Sequence, residues 1–213
     1  MEIELSCYFD QIPALRGCKP EQFSVEKLSG LTNLNYRIRR DAQDWILRIP
    51  KPETNVYINR EQEKHNYNIA VELGFVPKPY WRNDTGMSLT ATLPNSRTSN
   101  LHDLRPGKTV NQLLLNLHRL HNCRKPFQGE VNLADTLQRY FTLLSVDSRR
   151  QLQSYFERAQ SQLSDTSHRA DYLVPSHNDL VLGNLLIENQ QKLWLIDWEY
   201  SAMASPYWDL ASL

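Results

Sequence analysis

Three polar residues near the end of the chain have the types and spacing that phosphoryl transfer requires. Asp179 and Asn184 are five residues apart, and Asp197 follows further along. A hydroxyl nucleophile needs a carboxylate to orient it and accept its proton, and the phosphates of a nucleotide need Mg²⁺ held by protein oxygens. Mg²⁺ keeps several waters, so one carboxylate and one amide oxygen are sufficient protein ligands. The set predicts Asp179 as general base and Asn184 with Asp197 as Mg²⁺ ligands.

These residues belong to a segment that predicts a β-hairpin. The apolar runs 185–187 and 193–196 flank a polar pair, Asn189 and Gln190, which is typical of two short strands joined by a turn. The alternative is a pair of turns in which Asp and Asn side chains bond their own backbone. Three such residues in order within one hairpin favour the catalytic interpretation.

The motif resembles that of known kinases. Protein kinases carry H-R-D-x-x-x-x-N followed by D-F-G, whereas this chain has H-N-D-x-x-x-G-N at 177–184 and I-D-W-E-Y at 196–200. With the tail at 206–211, this pattern resembles the choline/ethanolamine kinase family and its bacterial choline-kinase-like relatives. That family belongs with the aminoglycoside phosphotransferases and thiamine kinases in a wider kinase-like clan.

The resemblance implies a protein-kinase-like, two-lobe fold of the α+β class. Alternating apolar residues over 23–28 predict a half-buried strand, and 36–39 and 45–49, separated by a turn at 41–44, are predicted as the second and third strands. A second hairpin over 79–93 completes a five-stranded antiparallel N-terminal sheet. The pattern over 58–73 predicts the one helix of this lobe, ended by Gly74.

The polar, breaker-rich stretch 93–100 predicts the domain boundary. We expect an N-terminal nucleotide-binding lobe over 1–93 and a catalytic and acceptor lobe over 94–213. Helical spacing beyond Gly107 predicts that the second lobe is mainly helical and carries the catalytic hairpin. Similar family members continue past the position of Leu213 through helices that wall the acceptor pocket. The resemblance therefore implies a truncated C-terminal lobe. If this end is natural, the acceptor site is open or activity is lost, and if the chain is a fragment, the missing part holds half of the specificity.

The loop 29–35 connects two predicted strands and could lay backbone N–H groups over phosphates. With one glycine it fits an ordinary hairpin better when considered alone. In the family, however, a similar S-G-L-T-N-x-N-Y loop occupies the nucleotide-loop position. The resemblance implies nucleotide contacts for these loop residues, which are Ser29, Thr32, Asn33 and Asn35.

Two further nucleotide-site residues are implied by the resemblance alone. Arg48 occupies the place of the strand lysine that grips the α- and β-phosphates in kinases, and choline kinases are similar in carrying arginine there. A guanidinium can bind a phosphate and a carboxylate together. Glu63 matches the helix glutamate that pairs with this cation, and Glu61 is the rival candidate.

Aromatic and acidic residues after Asp197 bear on the acceptor. Glu199, Tyr200 and Trp208 crowd a short segment, and aromatic faces with nearby carboxylates hold quaternary ammonium groups. Tyr200 is the position that the resemblance points to most directly. The alternative is that these aromatic residues belong to the core, and that Asp209 anchors a helix or turn.

Composition excludes several function classes. The 24 basic and 24 acidic residues balance without a basic patch, so a nucleic-acid partner is not expected. No apolar run has the length of a membrane span, so no membrane partner is expected. Three cysteines without metal-like spacing indicate reduced thiols in a cytoplasmic protein. No acidic or cysteine partner is expected to complete a metal site with His118 and His121, so a metal role for them is not expected.

The sequence thus predicts an enzyme that uses ATP and Mg²⁺ to phosphorylate the hydroxyl of a small cationic alcohol, choline first and ethanolamine second. A thiamine kinase is the nearest alternative, because its members resemble this chain through the I-D-W-E-Y segment. An aminoglycoside phosphotransferase would favour an acidic acceptor surface, and the sequence has no acidic run. A nucleotide-binding protein without activity is the alternative from a different class.

Overall fold

The computed structural model describes residues 5–166, 172–189 and 191–213, with side chains described outside 164–166. The N-terminal part is an antiparallel sheet with a short leading helix and one long helix. The elements in chain order are α1 Ser6–Phe9, β1 Ser24–Leu28, β2 Asn33–Arg40, β3 Gln43–Pro50, α2 Arg60–Glu72, β4 Trp81–Arg82 and β5 Ser88–Ala91. Within the described residues the strand order is β1-β2-β3-β5-β4, which confirms the predicted five-stranded sheet.

The two-residue period of β3 explains how the sheet positions Arg48. Trp45, Leu47 and Ile49 are buried on one face, where they pack with residues of the leading segment. Successive side chains of a strand point to opposite faces, so Arg48 lies on the other face, towards the second lobe. One difference concerns β2, which begins at Asn33 rather than Tyr36, because the pairing with β3 extends to Pro50.

Helix α2 ends before Gly74 as predicted, but it begins at Arg60, two residues later than the predicted start at 58. The side chain of Asn59 accepts hydrogen bonds from the backbone N–H groups of Glu61 and Gln62, which caps the first turn. Gly74 follows the helix with a φ of +75°, a conformation that glycine adopts without steric cost.

The C-terminal part combines helices with two small sheets. Its elements are β6 Ser96–Thr98, α3 Lys108–His121, α4 Leu133–Leu143, α5 Val146–Thr166, β7 Val174–Ser176, β8 Leu185–Glu188, β9 Lys192–Leu195, β10 Ala202–Ala204 and α6 Pro206–Ala211. Strands β8 and β9 pair antiparallel, so the predicted catalytic hairpin is present. The predicted turn consists of Asn189 and Gln190. Asn189 has a φ of +50°, and Gln190 lies outside the described residues.

One hydrophobic cluster joins helix α2 to the second part of the chain. It contains Tyr67 and Ile69 of α2 together with Leu117 of α3, Leu195 of β9 and Trp198. Strand β6 pairs with β8 rather than with the N-terminal sheet. On this ground we propose that the lobe boundary lies between residues 93 and 94.

Candidate active site

The hairpin brings Asp179 and Asn184 into direct contact. A short 3₁₀ turn, Leu182–Asn184, precedes β8 and turns the side chain of Asn184 back towards Asp179. Its Nδ2 atom donates to the backbone oxygen of Asp179 at 2.9 Å and to Oδ2 of the same residue at 2.8 Å. The amide nitrogen is thereby held by Asp179, and Oδ1 of Asn184 makes no hydrogen bond within the described part of the chain.

Two residues of this segment adopt a left-handed backbone conformation. Asn178 has a φ of +65° and Asp197 a φ of +64°, a region that Asn and Asp tolerate better than most residues. His177, which precedes Asn178, connects this backbone to the segment of Asp197, because its Nε2 atom lies 3.0 Å from the backbone oxygen of Ile196. Burial lowers the pKa of His177, so its imidazole is neutral near pH 7 and serves to organise the backbone.

Asp209 anchors the backbone before the candidate base. Its carboxylate accepts from the N–H groups of His177 at 3.1 Å and Asn178 at 2.8 Å. Oδ2 also lies 2.9 Å from Nε2 of His121 in α3. The expectation that His121 lacks an acidic neighbour is therefore wrong, because the partner comes from 88 residues further along the chain.

Arg48 is surrounded by carboxylates from three parts of the chain. Nη1 donates to Glu63 at 2.8 Å, and Nη2 donates to Glu199 at 2.7 Å and to Asp197 at 3.3 Å. Glu63 is 2% exposed, whereas its rival Glu61 is exposed at the helix surface. The structure thus places Glu63 against the strand cation.

Glu63 also binds two other arginines. Arg60 lies 2.7 Å and Arg82 2.8 Å from its carboxylate oxygens. Burial raises the pKa of Glu63, but the charges of Arg48, Arg82 and Arg60 outweigh burial and lower the pKa to about 2. Gly86 makes room for this cluster, since a Cβ there would lie 3.2 Å from Oε2 of Glu63, and its φ is +88°.

The pKa values of Asp179 and Asp197 are both raised. Burial is the main cause for Asp179. For Asp197 burial raises the pKa to about 6 even though Arg48 opposes the rise. A carboxylate with a raised pKa is a better proton acceptor near neutral pH than an ordinary aspartate.

The smaller of two cavities lies between the N-terminal sheet and the hairpin. It has a volume of about 460 Å³, and Ser29, Asn35, Arg48 and Asp197 are among the residues that line it. The loop before β2 closes one end. A Cβ at Gly30 would lie 2.4 Å from the backbone oxygen of Asn33, so the loop requires glycine there.

The predicted loop residues mainly support the loop. Asn35 Nδ2 donates to the backbone oxygen of Ser29 at 3.2 Å. Asn33 is buried, and its Nδ2 donates to Oγ1 of Thr32 and to Oε2 of Glu199, both at 3.0 Å. The side chains of Thr32 and Asn33 therefore face the loop and the second lobe rather than the cavity.

The larger cavity lies on the other side of Asp179. It has a volume of about 990 Å³, and its lining includes Asp179, Glu199 and four aromatic residues from distant parts of the chain, which are Tyr57, Tyr140, Tyr200 and Trp208. Burial raises the pKa of Tyr200, so its phenol stays neutral. Tyr57 and Tyr140 belong to no sequence motif. Only a search for aromatic residues near polar segments could have suggested them as cavity residues.

The three acceptor-site candidates differ in what their side chains do. Tyr200 and Trp208 line the larger cavity, and Trp208 Nε1 also donates to the backbone oxygen of Asn178 at 3.2 Å. Glu199 differs from the expectation, because its Oε2 atom is held by Arg48 and Asn33. Among the described residues, only the second carboxylate oxygen of Glu199 is left without a partner, and it alone could contact a ligand.

The donor set beside the smaller cavity fits Mg²⁺. Oδ1 of Asn184 and Oδ2 of Asp197 are hard oxygen atoms without hydrogen-bond partners in the described residues, and Mg²⁺ prefers such ligands. Among these residues no three His, Cys, Asp or Glu side chains form a metal-binding group. Water and phosphate oxygens would therefore complete the shell.

Comparisons with known proteins identify the family of the chain. A family model described as "Phosphotransferase enzyme family" matches residues 25–213. Protein LicA of Haemophilus influenzae is 32% identical over 196 residues, which cover 87% of this chain and 56% of that protein. A probable ethanolamine kinase of Arabidopsis thaliana is 29% identical over 198 residues, covering 84% of this chain and 52% of that protein.

A solved structure shares the fold. The crystal structure of choline kinase LicA from Streptococcus pneumoniae superposes with a TM-score of 0.80 at 28% identity, covering 89% of this chain and 68% of that one. This likeness confirms the kinase-like two-lobe fold. The chain spans about half the length of the two curated relatives.

Proposed function

This chain belongs to the phosphotransferase enzyme family, and we propose that it transfers the γ-phosphoryl group of ATP to the hydroxyl group of a small cationic alcohol. Choline is the first candidate and ethanolamine the second. The similarity of this chain to a protein described as a choline kinase and to one described as a probable ethanolamine kinase supports this choice.

The position of Asp179 between two cavities carries the proposal. Asp197 and Arg48 line the smaller cavity, and Asp179 lines the larger one. Nη2 of Arg48 donates both to Asp197, in the lining of the smaller cavity, and to Glu199, in the lining of the larger one, so the two linings adjoin. A nucleotide in the smaller cavity and an alcohol in the larger one would meet beside this contact.

Asp179 would act as the general base. It orients the acceptor hydroxyl and takes its proton while the new O–P bond forms and the bond between the γ-phosphorus and the ADP oxygen breaks. Burial raises the pKa of Asp179, which favours proton acceptance.

Asn184 and Asp197 would hold Mg²⁺, which neutralises phosphate charge when bound. Backbone N–H groups of the loop that begins at Ser29 would face the phosphates, with Thr32, Asn33 and Asn35 holding the loop in place. Arg48 would contact a phosphate while Glu63 anchors it.

The four aromatic side chains of the larger cavity favour a cationic acceptor. Cations are attracted to the faces of aromatic rings, and Tyr200 stands directly beside the segment that carries Asp197. Asp179 adds negative charge to the same cavity, whereas one oxygen of Glu199 is already paired with Arg48. A neutral alcohol would lack this electrostatic attraction.

The test is turnover by the purified chain with Mg-ATP and four separate acceptors: choline, ethanolamine, thiamine and kanamycin. ADP release and the phosphorylated product are measured together, with Asp179→Asn as the inactive control. We expect turnover with choline or ethanolamine. Turnover with thiamine or kanamycin alone would correct the substrate, and bound ATP without any ADP would overturn the proposed reaction.

A further inference from the structure

Helix α2 faces both cavities. Glu63 lines the smaller cavity, and the neighbouring Gln62 lines the larger one. Asn66 lies one turn beyond Gln62, on the same side of the helix, because residues four apart are neighbours on a helix surface. Its side chain is fully buried.

Every hydrogen-bonding group of the Asn66 amide is engaged. Nδ2 donates to the backbone oxygens of Gln128 at 3.0 Å and Ser201 at 2.8 Å. Oδ1 accepts from the backbone N–H of Gln128 at 2.8 Å. Two carbonyl partners and one N–H partner define the amide orientation, and they match what an asparagine side chain can offer.

The two segments that Asn66 holds form one wall of the larger cavity. Met203 N–H donates to the oxygen of Gly129, and Val131 N–H donates to the oxygen of Met203, both at 2.9 Å. Gly129, Val131 and Ser201 all line the cavity. Ser201 directly follows Tyr200, so its position determines where the Tyr200 ring can lie.

A second contact from α2 supports the same wall. Gly129 has a φ of +78°, and a Cβ there would lie 2.6 Å from Oε1 of Gln62. The helix therefore packs closely against this segment at two successive turns, through Gln62 and Asn66.

We propose that Asn66 is a positioning residue that holds the acceptor wall, and with it Tyr200, at a fixed place relative to the helix that carries Glu63. The inference rests on the proposed function, because it assigns the acceptor to the larger cavity. It makes α2 the element through which the nucleotide side and the acceptor side keep their relative position.

Asn66→Asp tests the proposal because it preserves size and the acceptor for Gln128 N–H. An ionised carboxylate would face two carbonyl oxygens, whereas a protonated carboxyl group can donate to Ser201. We expect the KM for choline at pH 8 to rise about 10-fold and to fall towards the wild-type value at pH 6. The kcat and the KM for Mg-ATP should change less than about 3-fold.

Two variants serve as controls. Asn66→Ala should raise the KM for choline at both pH values, since it has no group to protonate. Asn116 is another buried asparagine, whose Nδ2 donates to the oxygen of Leu193 at 3.3 Å, outside the residues that line either cavity. Asn116→Asp should lower stability without a pH-dependent change in the KM for choline.

Amide hydrogen exchange provides a readout independent of turnover. In Asn66→Ala, exchange in segments 128–131 and 201–204 should accelerate at least about 10-fold relative to Asn116→Ala. If Asn66→Asp does not fold at pH 8, Asn66→Ser takes its place and should show an intermediate KM. Unchanged exchange in both segments, or an unchanged choline KM in a folded variant, would overturn the proposal. Absence of turnover in the wild-type chain would refute the proposed function alone.

Discussion

At the scale of single residues, the catalytic segment depends on side chains that hold one another. Asn184 uses its nitrogen on Asp179 and keeps its oxygen free of partners among the described residues. Asp197 is held by Arg48 on one oxygen, the other having no partner in the described part of the chain, and its backbone is left-handed. In the proposed function each residue divides its polar atoms between a structural partner and a ligand, so a change of one atom type should separate the two tasks.

Asp179→Ala should lower kcat about 10²–10⁴-fold, the usual contribution of a general base. Mg-ATP affinity should change less than about 3-fold, because the proposed base acts on the acceptor. Steady-state kinetics and equilibrium titration with Mg-ATP measure the two quantities. An equal loss of turnover and nucleotide affinity would contradict the assigned role.

Tyr200→Leu should raise the KM for choline about 3- to 30-fold, the loss expected for one cation–π contact. Tyr200→Phe is the matched control, because it retains the ring and should keep the KM within about 2-fold. Initial rates over a range of choline concentrations measure the effect. If both variants behave alike, the ring of Tyr200 does not hold the cation.

At the scale of elements, helix α2 and the strand β3 are joined by a buried ionic cluster. Glu63 binds Arg48, Arg60 and Arg82, and Gly86 leaves room for it. Removing one partner of such a cluster leaves an uncompensated buried charge, which is more costly than the loss of a surface pair. The helix is therefore held to the sheet by charge and to the second lobe by the amide of Asn66.

The cluster predicts a specific acid sensitivity. The pKa of Glu63 falls from an ordinary 4.5 in the unfolded chain to about 2 in the folded one. Its contribution is complete above pH 4.5 and is lost as the pH falls towards 2, in total about 3 kcal/mol at about 1.4 kcal/mol per pKa unit. Urea unfolding between pH 5.5 and 2.5 should show a steeper loss of stability in the wild type than in Glu63→Gln. Parallel curves would show that Glu63 does not carry this dependence.

At the scale of the whole molecule, Arg48 joins the linings of the two cavities, because its Nη2 donates to Asp197 of the smaller cavity and to Glu199 of the larger one. The larger cavity draws its aromatic residues from both lobes, since Tyr57 precedes α2 and Tyr140 lies in α4. None of the helices that the structure describes is long and apolar enough to cross a membrane. Helix α4 contributes Tyr140 to the cavity without burying any residue of its own.

Mg-ATP should stabilise the folded chain by mass action. At a concentration 100 times its Kd, the gain is about 2.7 kcal/mol, which corresponds to about 5–10 °C in Tm for a chain of this size. Removing Mg²⁺ with EDTA should abolish most of the shift, as should Asp197→Ala in the presence of Mg²⁺. Thermal unfolding followed by calorimetry tests both conditions. A full shift in Asp197→Ala would refute its assignment as a metal ligand.

The sequence by itself determined the features that depend on neighbouring residues. The pattern over 45–49 indicated a strand, the helical pattern ended by Gly74 indicated α2, and the apolar runs around Asn189 defined the hairpin. The spacing of Asp179, Asn184 and Asp197 indicated the chemistry. These features follow from local periodicity and turn preferences, which short stretches of sequence contain.

Only the tertiary structure decided which distant groups share a site. It brings Asn33 into contact with Glu199, which is 166 residues further along, and His121 into contact with Asp209, which is 88 residues further along. It also places Tyr57 and Tyr140 in the lining of the same cavity as Tyr200. It also showed that Glu199 is partly engaged by Arg48, and that Asn66 holds two separate segments. Such contacts depend on how the lobes pack, because a buried polar group bonds whichever partner the fold brings within reach.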